Sequence, residues 1–442
     1  MTAFALHRLT RVRVAALAFT LTALPTGAQQ GAPRDSLRLG ALHAAAIRQD
    51  PRGRQFELLA SQSQLRLRNL DAERFPALTL NGQAQYLSDV PRIPFALPGS
   101  SPPLPPNDNY DANVALRQRL YDPGRGPRRD VERAQLAESQ ARVRTALFTL
   151  RQQVTEAFFT ALFLQAQAAE LEPGITDLEA QLRLASERVR LGTALPSEAA
   201  TLQADLLRRR QSIADVAANR AAALTVLGDL IGRPLNASEI LALPDLSGDV
   251  TQARARLAGV RARPEYEQFA RTRDVLERRQ SSLDAQEQPR IFAFGRAGYG
   301  RPGLNPLAQA FDEYWLAGVQ VEWSPWRWGS TEREREELAI QREIVATEEA
   351  AFTATIRRSV ANDLAAIDRL EESLRADDGI IALREQIVSE ARLRFGEDVI
   401  TSAEFVDRET DLLAARLARA THRIELGRAR ARFLTLLGLE VR

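Results

Sequence analysis

Apolar residues at Leu150, Val154, Ala157, Ala161, Leu164, Ala168, Leu171, Ile175, Leu178, Leu182, Ala185 and Val189 follow one another by fours and threes. A sustained mean step of about 3.5 residues is the seam of a coiled coil, in which one helical stripe always faces a partner. Helix-forming sequence surrounds the seam from residue 126 to 190, ~98 Å of α-helix at about 1.5 Å per residue. Many seam residues are alanine, which lets partner helices approach closely. Pro173-Gly174 falls inside the run without shifting its phase, so a kink is expected there rather than an end. Gly192 and Gly396 mark where the chain should turn back. Residues 201–230 and 401–437 then read as returning helices, closed by glycine at 232 and 438.

Elsewhere the period is two. In residues 77–89, Leu78, Leu80, Gly82, Ala84 and Tyr86 share a face opposite Thr79, Asn81, Gln83 and Gln85. Residues 110–120 repeat the pattern, with Tyr110, Ala112, Val114, Leu116 and Leu120 together. In residues 312–323, Trp315, Ala317, Val319, Val321 and Trp323 line up. Residues 290–300 are the least regular, since Phe292 and Phe294 share their face with Arg290 and Arg296. Strands of about ten residues with one apolar and one wet face suit a tilted membrane strand, although a soluble two-layer sheet alternates in the same way. Aromatics near the strand ends (Tyr86, Tyr110, Tyr314, Trp315 and Trp323) favour the membrane, because they form the girdle expected at a lipid–water interface. The proline-rich stretch 89–109 excludes helix and reads as an exposed loop.

These elements occur twice. Asp50-Pro51 finds its counterpart at Arg263-Pro264, Phe75-Pro76 at Gln288-Pro289, Leu120 at Trp323, and Gly192 at Gly396. The expected organisation is a leader over 1–28, a first repeat over 29–246 with strands 77–89 and 110–120 and its tip near 192, and a second over 247–442 with strands 290–300 and 312–323 and its tip near 396. The longer first-repeat loop accounts for the change in spacing between the copies.

Composition narrows the possibilities. His7, Arg8, Arg11 and Arg13 precede a short apolar run from Val14 to Leu24, with small residues at Thr26 and Ala28. That is the pattern of a cleaved secretory signal. Removing its three arginines takes the formal charge from +2 to −1, which leaves no nucleic-acid footprint. The chain has no cysteine, so disulfides, thiolate metal sites and an N-terminal acyl anchor are excluded. No later run is long and apolar enough for a transmembrane helix, so any spanning must be by strands in a closed barrel. His43 and His422 stand alone, and no metal or cofactor motif is present. Gly124-Arg125-Gly126 lacks the further glycine and lysine of a phosphate loop. Enzymatic function is therefore not expected.

Several features together carry a family resemblance: the duplication, "DP" in the first helix, "FPAL" before the first strand, "LRQRLYDPG" ending the second, and "RVRLGTALPSEAATLQ" at the first turn. The chain resembles the TolC-like outer-membrane efflux proteins over nearly all its length after the leader. The resemblance implies a mixed but mainly α fold, with long coiled-coil hairpins forming a periplasmic α-barrel. Four strands per chain would join a trimeric twelve-stranded β-barrel in outer-membrane lipid. It implies a passive exit duct for drugs or other cargo, docked to a periplasmic adaptor (membrane fusion protein) and an inner-membrane RND or ABC transporter, in efflux or type I secretion. Arg190, Gly192, Glu198, Arg394 and Gly396 would lie at the adaptor-facing tips. The family's paired acids at the constriction map onto Glu404 and Asp407 if two residues are inserted in the second turn, because Ser402 holds the uninserted position. A periplasmic adaptor or structural coiled coil is the alternative, but it would not account for strand pairs joined directly to both hairpins.

Overall fold

The structure, a computed structural model, describes residues 36–91, 104–257 and 261–441. The expected leader and the middle of the first strand-to-strand loop lie outside the described residues. The helices α1 (Leu39–Gln49) and α2 (Gln55–Ala72) lead into strands β1 (Ala77–Tyr86) and β2 (Asp108–Tyr121). Then come α3 (Arg125–Arg190) and its return α4 (Pro196–Ile231). The order recurs as α5 (Ser247–Ala255), α6 (Pro264–Asp284), β3 (Arg290–Arg301), β4 (Asp312–Glu322), α7 (Ser330–Gly396) and α8 (Ser402–Leu436). Asp50 separates α1 from α2 by capping a short 3-10 turn, its side chain accepting from the Arg52 N–H at 2.8 Å.

The four strands form one antiparallel sheet in the order β1-β2-β3-β4, so the β2–β3 pairing joins the two repeats. Its register stacks apolar residues across one face, Leu80–Val114–Ala297–Trp315 and Leu78–Leu116–Gly295–Ala317. Asn81–Asn113–Gly298–Tyr314 cross the other. Burial of the two faces is the reverse of that in a soluble sheet. Leu80 and Trp315 on the apolar face are 80% and 76% exposed, whereas Asn113 and Phe292 on the polar face are 8% and 6% exposed. The polar face is the more sheltered of the two in β2, β3 and β4, while both faces of β1 are exposed. Phe292 and Phe294 thus belong inside, which resolves the irregular alternation of the third strand. β1 stops at Tyr86, short of the expected Asp89, and β2 carries a bulge between Arg119 and Tyr121.

Every residue of the α3 seam is buried or half-buried. Helix α3 also buries Phe158, Phe159 and Leu162, which lie off the seam. They pack in the main core with Leu39 and Leu42 of α1, Leu224 and Leu227 of α4, and Phe433 and Leu434 of α8. Large apolar side chains buried this way contribute roughly 1.5–3 kcal/mol each. Helix α3 runs unbroken through Pro173. Gly174 beside it leaves room for the Arg209 guanidinium, which an added Cβ would meet at 2.5 Å.

His43 is buried against this core, with Nε2 2.9 Å from the Thr155 hydroxyl. That hydroxyl donates to the Arg151 carbonyl at 2.8 Å, so its oxygen accepts the imidazole N–H. Burial, reinforced by Arg151, lowers the His43 pKa from 6.5 to about 4. The unfolded chain therefore takes up a proton before the folded one does. Stability from this site is complete above about pH 6.5 and is lost as pH falls toward 4, by roughly 3 kcal/mol. Acid titration of unfolding should show this slope in the wild type, and His43→Leu should flatten it.

Candidate functional site

At the first tip, α3 ends on Arg190, which is exposed and paired with Glu187 at 2.8 Å. Gly192 takes the left-handed conformation at φ 74°, and Thr193 N–H closes the helix on the Arg188 carbonyl at 2.9 Å. Pro196 then opens α4, with half-buried Glu198 in its first turn. A carboxylate is favoured there by the positive end of the helix dipole.

The second tip closes by the same bond, from Val399 N–H to the Arg394 carbonyl at 2.9 Å. Its left-handed residue is Asp398, at φ 59°. Gly396 is the last residue of α7 and does not turn the chain, which corrects the expectation that pairs it with Gly192. Aspartate tolerates the left-handed region better than most residues, so the turn needs no glycine. With Gly192 matched to Asp398, Pro196 matches Ser402 and Glu198 matches Glu404. Arg394 is exposed and pairs with Glu390 at 2.5 Å.

Glu404 completes a capping box. Thr401 Oγ1 accepts from the Glu404 N–H at 3.3 Å, and Glu404 Oε2 accepts from the Thr401 N–H at 3.2 Å. Asp407 follows three residues on. Both carboxylates are exposed, while Phe405 and Val406 between them turn into the tip core. That core joins all four long helices through Leu178, Ala185, Leu202, Leu206, Ala391 and Phe395, with Phe395 and Phe405 stacked at 5.1 Å.

Two residues that the spacing does not flag fasten the hairpins of the two repeats together. Arg188 donates to the Asp398 carboxylate and to the Gly396 carbonyl, each at 2.6 Å. Arg392 bridges Asp177 and Glu409. Their partners on the opposite hairpin lie some two hundred residues away in sequence, so no local pattern reveals them.

On the sheet, Tyr86, Tyr110 and Trp315 lie on the open apolar face. Trp323 sits one residue beyond β4 and donates its indole N–H to the Glu287 carbonyl at 2.9 Å. The eight-residue step from Trp315 to Trp323 spans ~27 Å along a strand, or ~21 Å of height at a tilt of about 40°. Tyr314 departs from the expected girdle. It neighbours Trp315 and so points to the opposite face, where its hydroxyl donates to Asp111. Trp326 and Trp328, 76% and 83% exposed, lie just past the strand end. They escape sequence analysis because they fall outside the alternating run. Among the described residues no helix is long and apolar enough to cross a membrane, and no group of acids and histidines is placed to hold a metal.

Residues 45–233 match the family of outer membrane efflux proteins. No curated protein sequence matches the chain. Among solved structures, the fold is similar to that of the transmembrane channel protein CusC, with a TM-score of 0.68 at 15% identity over 91% of this chain and 92% of that one. It is similar to the outer membrane protein VceC of Vibrio cholerae, with a TM-score of 0.66 at 14% identity over 91% and 97%. The open state of the Neisseria gonorrhoeae MtrE outer membrane channel gives a TM-score of 0.64 at 17% identity over 92% and 90%.

Proposed function

We propose, from the match of residues 45–233 to the outer membrane efflux proteins and from the shared fold, that three copies of this chain assemble into an outer-membrane exit duct. The observation that carries this reading is a sheet whose apolar face is open and whose polar face is the more sheltered in β2, β3 and β4, with β1 and β4 left as edges. Four strands cannot close on themselves, and an open edge in lipid leaves backbone groups unsatisfied. Pairing β4 of one chain with β1 of the next closes a twelve-stranded barrel, with lipid outside and water within. The long hairpins then continue the wall of the duct through the periplasm. The leader over 1–28 and the repeats over 29–246 and 247–442 are part of this reading.

The duct is passive. Energy and choice of cargo come from an inner-membrane RND or ABC pump, coupled through a periplasmic adaptor that engages the tips at Arg190, Gly192, Glu198 and Arg394. Organic drugs fit the role best, with secreted protein next. Recovery of the protein with outer membranes, and stepwise conductance in planar bilayers, test the proposal. Recovery as a soluble periplasmic protein with no channel activity would overturn it in favour of an adaptor.

Glu404 and Asp407 would form the narrowest ring of the duct, six carboxylates in three chains. Such a ring favours cations. Replacing both with alanine should lower the cation-to-anion permeability ratio severalfold, as measured from reversal potentials across a salt gradient. An unchanged ratio would leave the two acids as helix-start residues only. Because Glu404 also caps α8, Glu404→Gln with Asp407→Asn is the better-folded comparison.

A further inference from the structure

The more sheltered face of the sheet is polarised. Toward the helices it carries Arg117, Arg119 and Arg290, with Glu322 as the only acid among the described strand residues of that half. Toward the external loops it carries Asp111 and Asp312 instead. Arg119 is held by Glu73 and by Asp122 at 3.4 Å. Arg117 pairs with Glu322 at 3.1 Å, and its guanidinium carbon sits over the Phe292 ring, 4.1 Å from the centroid. The Phe292 ring occupies one face of the guanidinium. Arg117 remains about half exposed, so its other face is open. The Arg290 side chain has no ion-pair or hydrogen-bond partner among the described residues. These groups border an open cavity of about 570 Å³ where the sheet meets α2.

A guanidinium with one free face accepts a second flat ring by stacking, and an unpaired guanidinium beside it supplies a two-pronged donor to an anionic oxygen pair. We propose that this end of the inner face is a binding station for organic anions that carry a flat ring. The ring stacks on Arg117, and the carboxylate or sulfonate is held by Arg290. The station rests on the exit-duct reading, in which this face lines the lumen and three copies form an arginine belt. Cargo would then pass two opposed charge filters, acidic at the tip and basic at the base of the barrel.

The cavity is lined by a single chain, so binding can be read apart from conduction. The full-length protein in zwitterionic nanodiscs is titrated calorimetrically with naphthalene-1,5-disulfonate, which is too charged to enter lipid. The wild type is expected to bind it, and Arg290→Gln and Arg117→Gln to bind it at least tenfold more weakly. Butane-1,4-disulfonate, which lacks the ring, should bind the wild type more weakly and gain nothing from Arg117. Arg290→Gln breaks no contact, so its fold is preserved even if Arg117→Gln disturbs the sheet. A wild type that fails to bind the naphthalene probe, or an Arg290→Gln variant that binds it as well as the wild type, overturns the station. Trimeric, conducting protein with either outcome leaves the exit duct standing. Protein that neither trimerises nor conducts refutes the duct whatever the probe does.

Discussion

Replacing Gly438 with alanine is expected to destabilise the protein by roughly 2–5 kcal/mol, whereas the same change at Gly192 costs about 1–2 kcal/mol. Both glycines are left-handed, at φ 80° and 74°, so both variants incur the conformational cost. They differ in what the new methyl group meets. At Gly192 nothing lies within 4 Å. At Gly438 a Cβ would fall 2.6 Å from the Ala262 carbonyl carbon and 2.7 Å from the Arg263 nitrogen, backbone atoms that cannot swing aside. Gly438 is where the end of α8 packs on the start of the second repeat. Arg263 is itself buried there, between Phe148 and Phe352. Thermal unfolding of the two variants in detergent should show a clearly larger loss for Gly438→Ala. Equal losses would mean that the contact with residues 262 and 263 is loose.

Asp205→Ala is expected to loosen the first hairpin near its tip by about 3–5 kcal/mol, because it strands a buried cation. Asp205 and Arg209 sit one turn apart on α4, 4% and 5% exposed. Arg209 Nε donates to the Asp205 carboxylate at 2.9 Å, and its head fills the space that Gly174 leaves on α3. Removing the carboxylate leaves a guanidinium with neither water nor counter-charge. Hydrogen exchange over residues 170–210 should quicken by about a hundredfold or more, since each 1.4 kcal/mol is a factor of ten. Replacing Asp205 and Arg209 together by leucine and methionine should restore most of the protection, because no charge then remains unpaired. If Asp205→Ala leaves exchange unchanged, Arg209 reaches solvent and the pair contributes nothing.

Period and duplication carried most of the architecture, and each departure has a local cause. The α3 seam was legible because every turn repeats the same contact. Phe158, Phe159 and Leu162 were not, because their burial depends on α1 and α8 wrapping a second side of the helix. Pro173 reads as a kink rather than an end, and the helix does continue through it, with Gly174 beside it making space for Arg209. The strands were legible from alternation alone. Tyr314 was grouped with Trp315 by proximity, although neighbours on a strand must face opposite ways. Gly396 attracted the second turn because glycine is the usual left-handed residue, while the structure gives that place to Asp398. Correcting this by two residues sets Glu404 at the place of Glu198. The ties made by Arg188 and Arg392 could not be read at all, since they depend on the two repeats lying side by side.

The central claim is that one chain supplies a third of a closed duct, and the most direct measurement is the native mass of the protein extracted from outer membranes in mild detergent. Three chains per particle, stable to dilution, is the result the account predicts, because each chain leaves β1 and β4 open and no described helix can hold it in lipid. A stable single chain, with those edges unpaired, would contradict it.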